Sequence, residues 1–285
     1  MLLLPIPASL PAWTEAFCDL PVPVLAGTQR ALDALAQAEA ERGDVDAHRI
    51  AEAVAQDPLM TLRIFASAAR LATPAAREDR RGMPETVTAA LLLLGIGPFF
   101  RSLGELPLAE AAVDPARCGI AGAPEGLATV LRRARRSANF ALGFAVHRMD
   151  GDAAALQTAA LLHDFAELLL WCHRPELADT LARRQAADPT LRSASAQQAL
   201  LGIELTALEQ ALMRAWGLPE LLRRMTDERQ ARDPQVRCVS LAVRIARHST
   251  AGWDNAALPD DWTALGELLQ LSPEAAEALV RDIDR

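Results

Sequence analysis

The sequence predicts an all-α protein, a two-lobed multi-helix bundle. Three observations carry that expectation. Segments with period-two alternation and β-branched residues are sparse, so strand signals are nearly absent. Ala and Leu, both good helix formers, dominate a composition that is 51% hydrophobic and 4% aromatic. Apolar residues recur at helical spacing through most of the chain.

The elements follow in order. In "DPLMTLRIFASAARLA", Asp57 caps and Pro58 suits the first helical position, so Leu59, Leu62, Phe65, Ala66 and Ala69 share a face. "PETVTAALLLLG" reads as a helix from Glu85 to Leu94, stopped by Gly95. "GLATVLRRARRSANFALGFAVHRM" and "AALQTAALLHDFAELLLWCH" read as two long helices, the second ending near Pro175. "ASAQQALLGIELTALEQALMRAW" is a further helix closed by Gly217-Leu218-Pro219, and "PQVRCVSLAVRIARHS" another. Ser272 and Pro273 start a last one. Prolines and glycines punctuate Gly104 to Gly126, which divides an N-terminal lobe, 1–115, from a C-terminal lobe, 116–285. Gly252 to Trp262 reads as a loop.

Charge and cysteine usage narrow the classes. A formal net charge of −8 disfavours a general binder of nucleic acid or anionic membrane. All basic residues are Arg. Cys18, Cys118, Cys172 and Cys238 are widely spaced and form no C-x-x-C pair, as expected of free thiols in a reducing compartment. The opening "MLLLPIPASLPAW" lacks a basic start and is broken by prolines, so it is a poor signal peptide. The longest apolar run, "TAALLLLGIGPFF", is about 13 residues, short of a membrane span. A cytoplasmic, soluble protein is expected.

"AALLHDFAELLLW" holds the residues of most chemical interest. His163 and Asp164 sit side by side in an apolar run. Such a pair offers a hard cation one nitrogen and one carboxylate oxygen, but a catalytic site needs about three protein ligands and an open position. The alternative is a buried polar pair held by hydrogen bonds. His173 lies about 15 Å further along the same helix and about 80° around it. His147 can approach from the preceding helix and His248 from the last long one; His48 lies in a loop with Asp44 and Asp46. Spacing alone does not bring them together. Ser137 and Ser67 lack His or Asp partners for a nucleophilic triad, and phosphate-binding glycine loops are absent. Arg132, Arg133, Arg135 and Arg136 spread around a helix, which suits a salt-bridging surface better than one phosphate-binding stripe.

The ordered set "DLPVPVLAGTQRALDAL", "IAEAVAQDPLMTLRIFASA", "ETVTAALLLLGIG", "RRSANFALGFA", "AALLHDFAELLL" and "LLGIELTALEQALMRAWGLPELL" resembles the HDOD domain, the HD-related output domain of bacterial signalling proteins. The resemblance runs from Leu20 to Arg247 and implies a C-terminal lobe with a degenerate HD-like core. Metal-dependent HD hydrolases carry a first His where Arg136 aligns, and a basic residue where Glu167 stands. Later histidines of such proteins fall near Leu205 and near Asp227-Glu228, and a final Asp near Val243. The HD pair is kept and most other ligands are lost, because a guanidinium offers no lone pair.

The resemblance therefore implies a structural or binding site at Arg136, His163, Asp164 and Glu167. Arg136 would bring its charge to the HD pair, or else point to solvent within its basic run. It also implies a non-catalytic regulatory module with no cofactor, contacting signalling proteins in trans. A reduced metal-dependent phosphohydrolase and a sensor of a small nucleotide, bound in the inter-lobe groove, are the alternatives.

Overall fold

The computed structural model describes residues 6–72, 83–188 and 190–285. The first five residues, part of the stretch read above against a signal peptide, lie outside the described residues. Among the described residues the regular elements are helical, apart from one isolated bridge between Val24 and Leu108.

The first part of the chain forms α1 (Leu10–Cys18), α2 (Ala26–Arg42), α3 (Ala47–Val54), α4 (Pro58–Leu71), α5 (Val87–Leu94) and α6 (Ile96–Leu103). Two one-turn helices, α7 (Ala109–Ala112) and α8 (Pro115–Cys118), punctuate the Pro- and Gly-rich stretch. Then come α9 (Ala123–His147), α10 (Ala153–Leu162), α11 (Phe165–His173), α12 (Pro175–Ala187), α13 (Ser193–Leu201), α14 (Leu205–Ala215) and α15 (Glu220–Met225). After a 3-10 turn, Glu228–Gln230, the chain closes with α16 (Pro234–His248), α17 (Leu258–Leu269) and α18 (Pro273–Ile283).

Local chemistry sets many of these starts. Ser9 caps α1 and Thr86 caps α5 by accepting from backbone N–H groups of the first turn. Asp57 caps α4 through Leu59 and Met60 and also accepts from the Leu25 N–H at 3.0 Å. It thereby ties the start of α2 to α4 from a position only 1% exposed. Burial raises the Asp57 pKa above the ordinary carboxylate value, against the pull of those N–H groups.

Helix α9 is the axis of the molecule and packs along α10 and α16. Ala134, Ala138 and Leu161 form the close contact with α10, where the Ser137 hydroxyl donates to Ala134 O and Ala160 O. Gly126 lets α9 cross Trp171, since a Cβ there would lie 2.2 Å from the indole ring. One apolar core runs from Trp13 to Val280 and crosses the punctuated stretch without a break. Helix α1 lies against α14, and the Trp13 indole donates to Leu201 O at 3.1 Å.

Several expectations need correction. The helix read across "AALQTAALLHDFAELLLWCH" is two, broken at His163-Asp164. The helix read across "ASAQQALLGIELTALEQALMRAW" is also two, because Gly202 takes φ 71 and ends α13. His48 is not in a loop; it lies in α3, which Asp46 caps. The final stretch of Gly252 to Trp262 is already helical, since α17 starts at Leu258.

Candidate functional site

The break between α10 and α11 contains neither Pro nor Gly. Its cause is long-range. The side chain of Asp164 makes no cap bond of its own. The Ala166 N–H in the first turn of α11 donates instead to Glu209 Oε1 on α14, at 3.3 Å. Asp164 is thereby released to turn its carboxylate toward α9 and α16.

Two guanidiniums meet that carboxylate. Arg133 of α9 donates from Nε to Asp164 Oδ2 at 2.6 Å and from Nη2 to Glu167 Oε2 at 2.5 Å. Arg247 of α16 donates from Nη2 to Asp164 Oδ1 at 3.2 Å. The imidazole of His163 lies between carboxylates: Nδ1 is 3.4 Å from Asp164 Oδ1 and Nε2 is 3.4 Å from Glu228 Oε1. Side-chain exposures of 3% for His163, 9% for Asp164 and 11% for Arg133 leave little water to screen these charges.

The protonation states follow from this geometry. Both ring nitrogens of His163 face acceptors, so the ring is satisfied only as a cation. Burial alone would lower its pKa, but Asp164 and Glu228 outweigh burial and raise it to about 10. Burial likewise works against an ionised Asp164, and Arg133 and Arg247 overcome it, holding the carboxyl well below its usual range. Arg133 is held more firmly protonated by Asp164 and Glu167 than its burial opposes. Glu209 goes the other way: burial raises its pKa well above the ordinary value, with His163 only partly opposing. Glu209 is thus the acid that burial drives toward its neutral form, beside Arg133, Arg247 and His163 facing Asp164, Glu167 and Glu228.

Of the expected residues, the structure brings His163, Asp164 and Glu167 together and leaves Arg136 out. Arg136 pairs in bidentate fashion with Asp284, at 2.7 and 2.8 Å, and lies over the rings of Phe140 and Trp253. Helix geometry explains the exchange. Ser137 faces α10; Arg133, four residues earlier, lies about 40° from it, whereas Arg136 lies about 100° away. Arg133 thus takes the place expected of Arg136. Sequence reasoning also missed Glu209 and Arg247 as site residues. Each lies four residues, one helical turn, beyond the aligned position at Leu205 or Val243. Glu228 falls where the alignment pointed. His147 ends α9, and His248 turns to Asp261. His173 packs edge-on against Phe17. Burial pushes the Cys172 and Cys238 thiols up to about 12, as befits packing residues.

A hydrolytic HD centre holds divalent metal, and the residues present here do not fit one. Both Asp164 oxygens accept from guanidiniums, both His163 nitrogens face carboxylates, and two fixed cations stand in the same space. Among the described residues no group of three or more His, Cys, Asp or Glu is placed to hold an ion. Beside the cluster lies a polar cavity of about 210 Å³, lined by Arg133, Glu167, Gln185, Gln197 and Arg247 among others. The apolar span Ala153–His173 has the length and hydropathy of a membrane helix, but 72% of it is buried inside the protein and the break divides it.

Comparison with known proteins agrees with this architecture. The fold is similar to that of the MmoQ response regulator from Methylococcus capsulatus, with a TM-score of 0.66 and 22% identity over 93% of this chain and 99% of that one. It is also similar to a virulence factor from Campylobacter jejuni, with a TM-score of 0.63 and 17% identity over 97% and 93% of the two chains. No curated protein sequence matches. The HDOD domain matches residues 23–231, and the chain belongs to that family.

Proposed function

We propose that this chain is a non-catalytic regulatory module that acts through contacts with other proteins. The observation that carries the reading is the pairing of both Asp164 oxygens with Arg133 and Arg247. Those guanidiniums stand where an HD hydrolase would hold its cation, and they convert a ligand set into a clamp. The clamp joins α9, the α10–α11 break and α16, the elements that a catalytic HD centre would organise around metal. A bidentate or shared Arg–carboxylate contact fixes orientation as well as charge. MmoQ, to which the fold is similar, is described as a response regulator, and a signalling role is the same kind of role. The composition and the buried apolar span are in keeping with work in the cytoplasm.

The rival reading, a phosphohydrolase with a reduced ligand set, has one observation in its favour: three carboxylates, Asp164, Glu209 and Glu228, act on one histidine. A phosphomonoester and phosphodiester screen with added Mn²⁺ or Fe²⁺ separates the two. The regulatory reading expects no turnover above that of the Asp164→Ala variant. Metal-dependent turnover that vanishes in that variant overturns it. Partner capture from the native cell, with wild type and an Arg133→Ala, Asp164→Ala double variant, then asks whether the clamp shapes a contact surface. The expected result is loss of a defined partner.

A further inference from the structure

A groove of about 720 Å³ runs between α9 and the start of α2, apart from the HD cluster. One wall is a stripe on α9: Pro124, Leu127, Ala128, Leu131, Arg135 and Asn139, at spacings of three and four. From Pro124 to Asn139 that stripe is about 22 Å long, or some four turns of helix. The facing wall comes from Leu25 to Thr28, from Ala53 of α3 and from Val113 after α7.

The groove is apolar at its floor and positive at its rim, on a chain whose net charge is −8. Arg132 and Arg135 border it. Arg135 donates to Gln56 O and meets no carboxylate among the described residues. Arg132, 56% exposed, donates to the Thr129 hydroxyl and meets the outlying Glu125, itself 75% exposed. Glu110, the single acid among the described lining residues, is already taken: its carboxylate accepts from the Ala26 N–H at 2.9 and 3.0 Å. Among the described residues the lining contains no aromatic ring on which a nucleobase would stack. Aliphatic floor, two underused guanidiniums and a length of several turns match a helix laid in a groove.

We propose that this groove takes an acidic amphipathic helix of a partner protein, with aliphatic side chains against Leu127 and Leu131 and carboxylates on Arg132 and Arg135. The proposal rests on the regulatory reading and names the partner chemistry for it. Because the floor residues Leu127 and Leu131 are only 2% and 8% exposed, the arginine rim carries much of the recognition, and binding weakens with salt.

The probe is a fluorescein-labelled synthetic helix of roughly 15 residues, matching the stripe, with Leu along one face flanked by Glu. A twin carries Lys in place of Glu. The full chain is expected to prefer the Glu peptide by about tenfold or more. Two independent changes each remove that preference: Arg132→Glu with Arg135→Glu, which inverts the rim, and Gly27→Leu, which fills the groove. A Cβ at Gly27 meets nothing within 4 Å, so a side chain can leave the backbone there without a clash. Arg132→Ala with Arg135→Ala serves if the charge inversion unfolds the chain.

Equal binding of both peptides, or binding untouched by Gly27→Leu, overturns the proposal. So does a cyclic dinucleotide whose thermal stabilisation of the chain is lost in Gly27→Leu, which would make the groove a small-molecule site. A self-associating chain that Gly27→Leu renders monomeric would assign the groove to a second copy and sink it equally. Asp164-dependent phosphoester hydrolysis, by contrast, removes the regulatory reading while peptide binding would stand.

Discussion

Helix α16 reaches two buried aspartates. Through Arg247 it meets Asp164 at the HD break. Through Arg244 and His248, one turn apart, it meets Asp261 on α17, each at 2.5 Å. Both aspartates are buried, at 7% and 0% exposure, and both take an arginine and a histidine. The surroundings differ. Asp261 is tied within two neighbouring helices, and its partners stay near water, with Arg244 45% and His248 28% exposed. Asp164 gathers groups from α9, α14, α16 and the 3-10 turn; Arg133, His163 and Glu209 are buried, while Arg247, 39% exposed, and Glu228 reach the surface. One cluster is a local brace. The other has the crowded, multi-element construction of a site, with guanidiniums filling its centre.

The largest test of this contrast is the pair Asp164→Ala and Asp261→Ala. Loss of Asp164 strands Arg133 and His163 in a buried place and is expected to cost about 3–5 kcal/mol. Loss of Asp261 leaves partners that can turn to water, and about 1–3 kcal/mol is expected. Chemical denaturation measures both, and a reversed order would break the comparison.

Next in size is the pH dependence. The folded pKa of His163, about 10, lies above its ordinary 6.5. The stability it contributes is therefore fully present below about pH 6.5 and is lost as pH rises toward 10, at up to about 1.4 kcal/mol per pH unit. Denaturation across that range is expected to show the slope in wild type and a flatter profile in His163→Gln.

Arg136→Ala separates the two neighbouring arginines. Its pair with Asp284 is part-exposed, so about 1 kcal/mol is expected, clearly less than for Arg133→Ala in the same assay. The smallest effect belongs to Glu209→Gln. The amide oxygen can still accept from the Ala166 N–H and no longer resists burial, so a neutral to slightly stabilising change, within about 1 kcal/mol at neutral pH, is expected from a thermal melt.

These contrasts also show what a single sequence reveals. The helical class, the caps at Asp57 and Ser272 and the place of the HD pair are local matters of propensity, side-chain oxygen and spacing, and all were legible. So were His163, Asp164 and Glu167 as neighbours. The division of one apolar run into α10 and α11 was not, because it holds no Pro or Gly to break it; the contacts at the turn come from Glu209, more than forty residues away, and two arginines. Arg133 was hidden for a related reason. In "LRRARRSANF" four arginines look alike, and only the face set by Ser137 against Ala160 selects one. Glu209 and Arg247 each lie one turn beyond Leu205 and Val243, the shift at which a helix face repeats.

The central claim is that arginines fill the space a divalent cation would need. Calorimetric titration of the full chain with Mn²⁺ at neutral pH tests it most directly. The expected result is no saturable one-to-one binding and no difference between wild type and His163→Ala. One tightly bound equivalent of metal, lost in His163→Ala or Asp164→Ala, would contradict it.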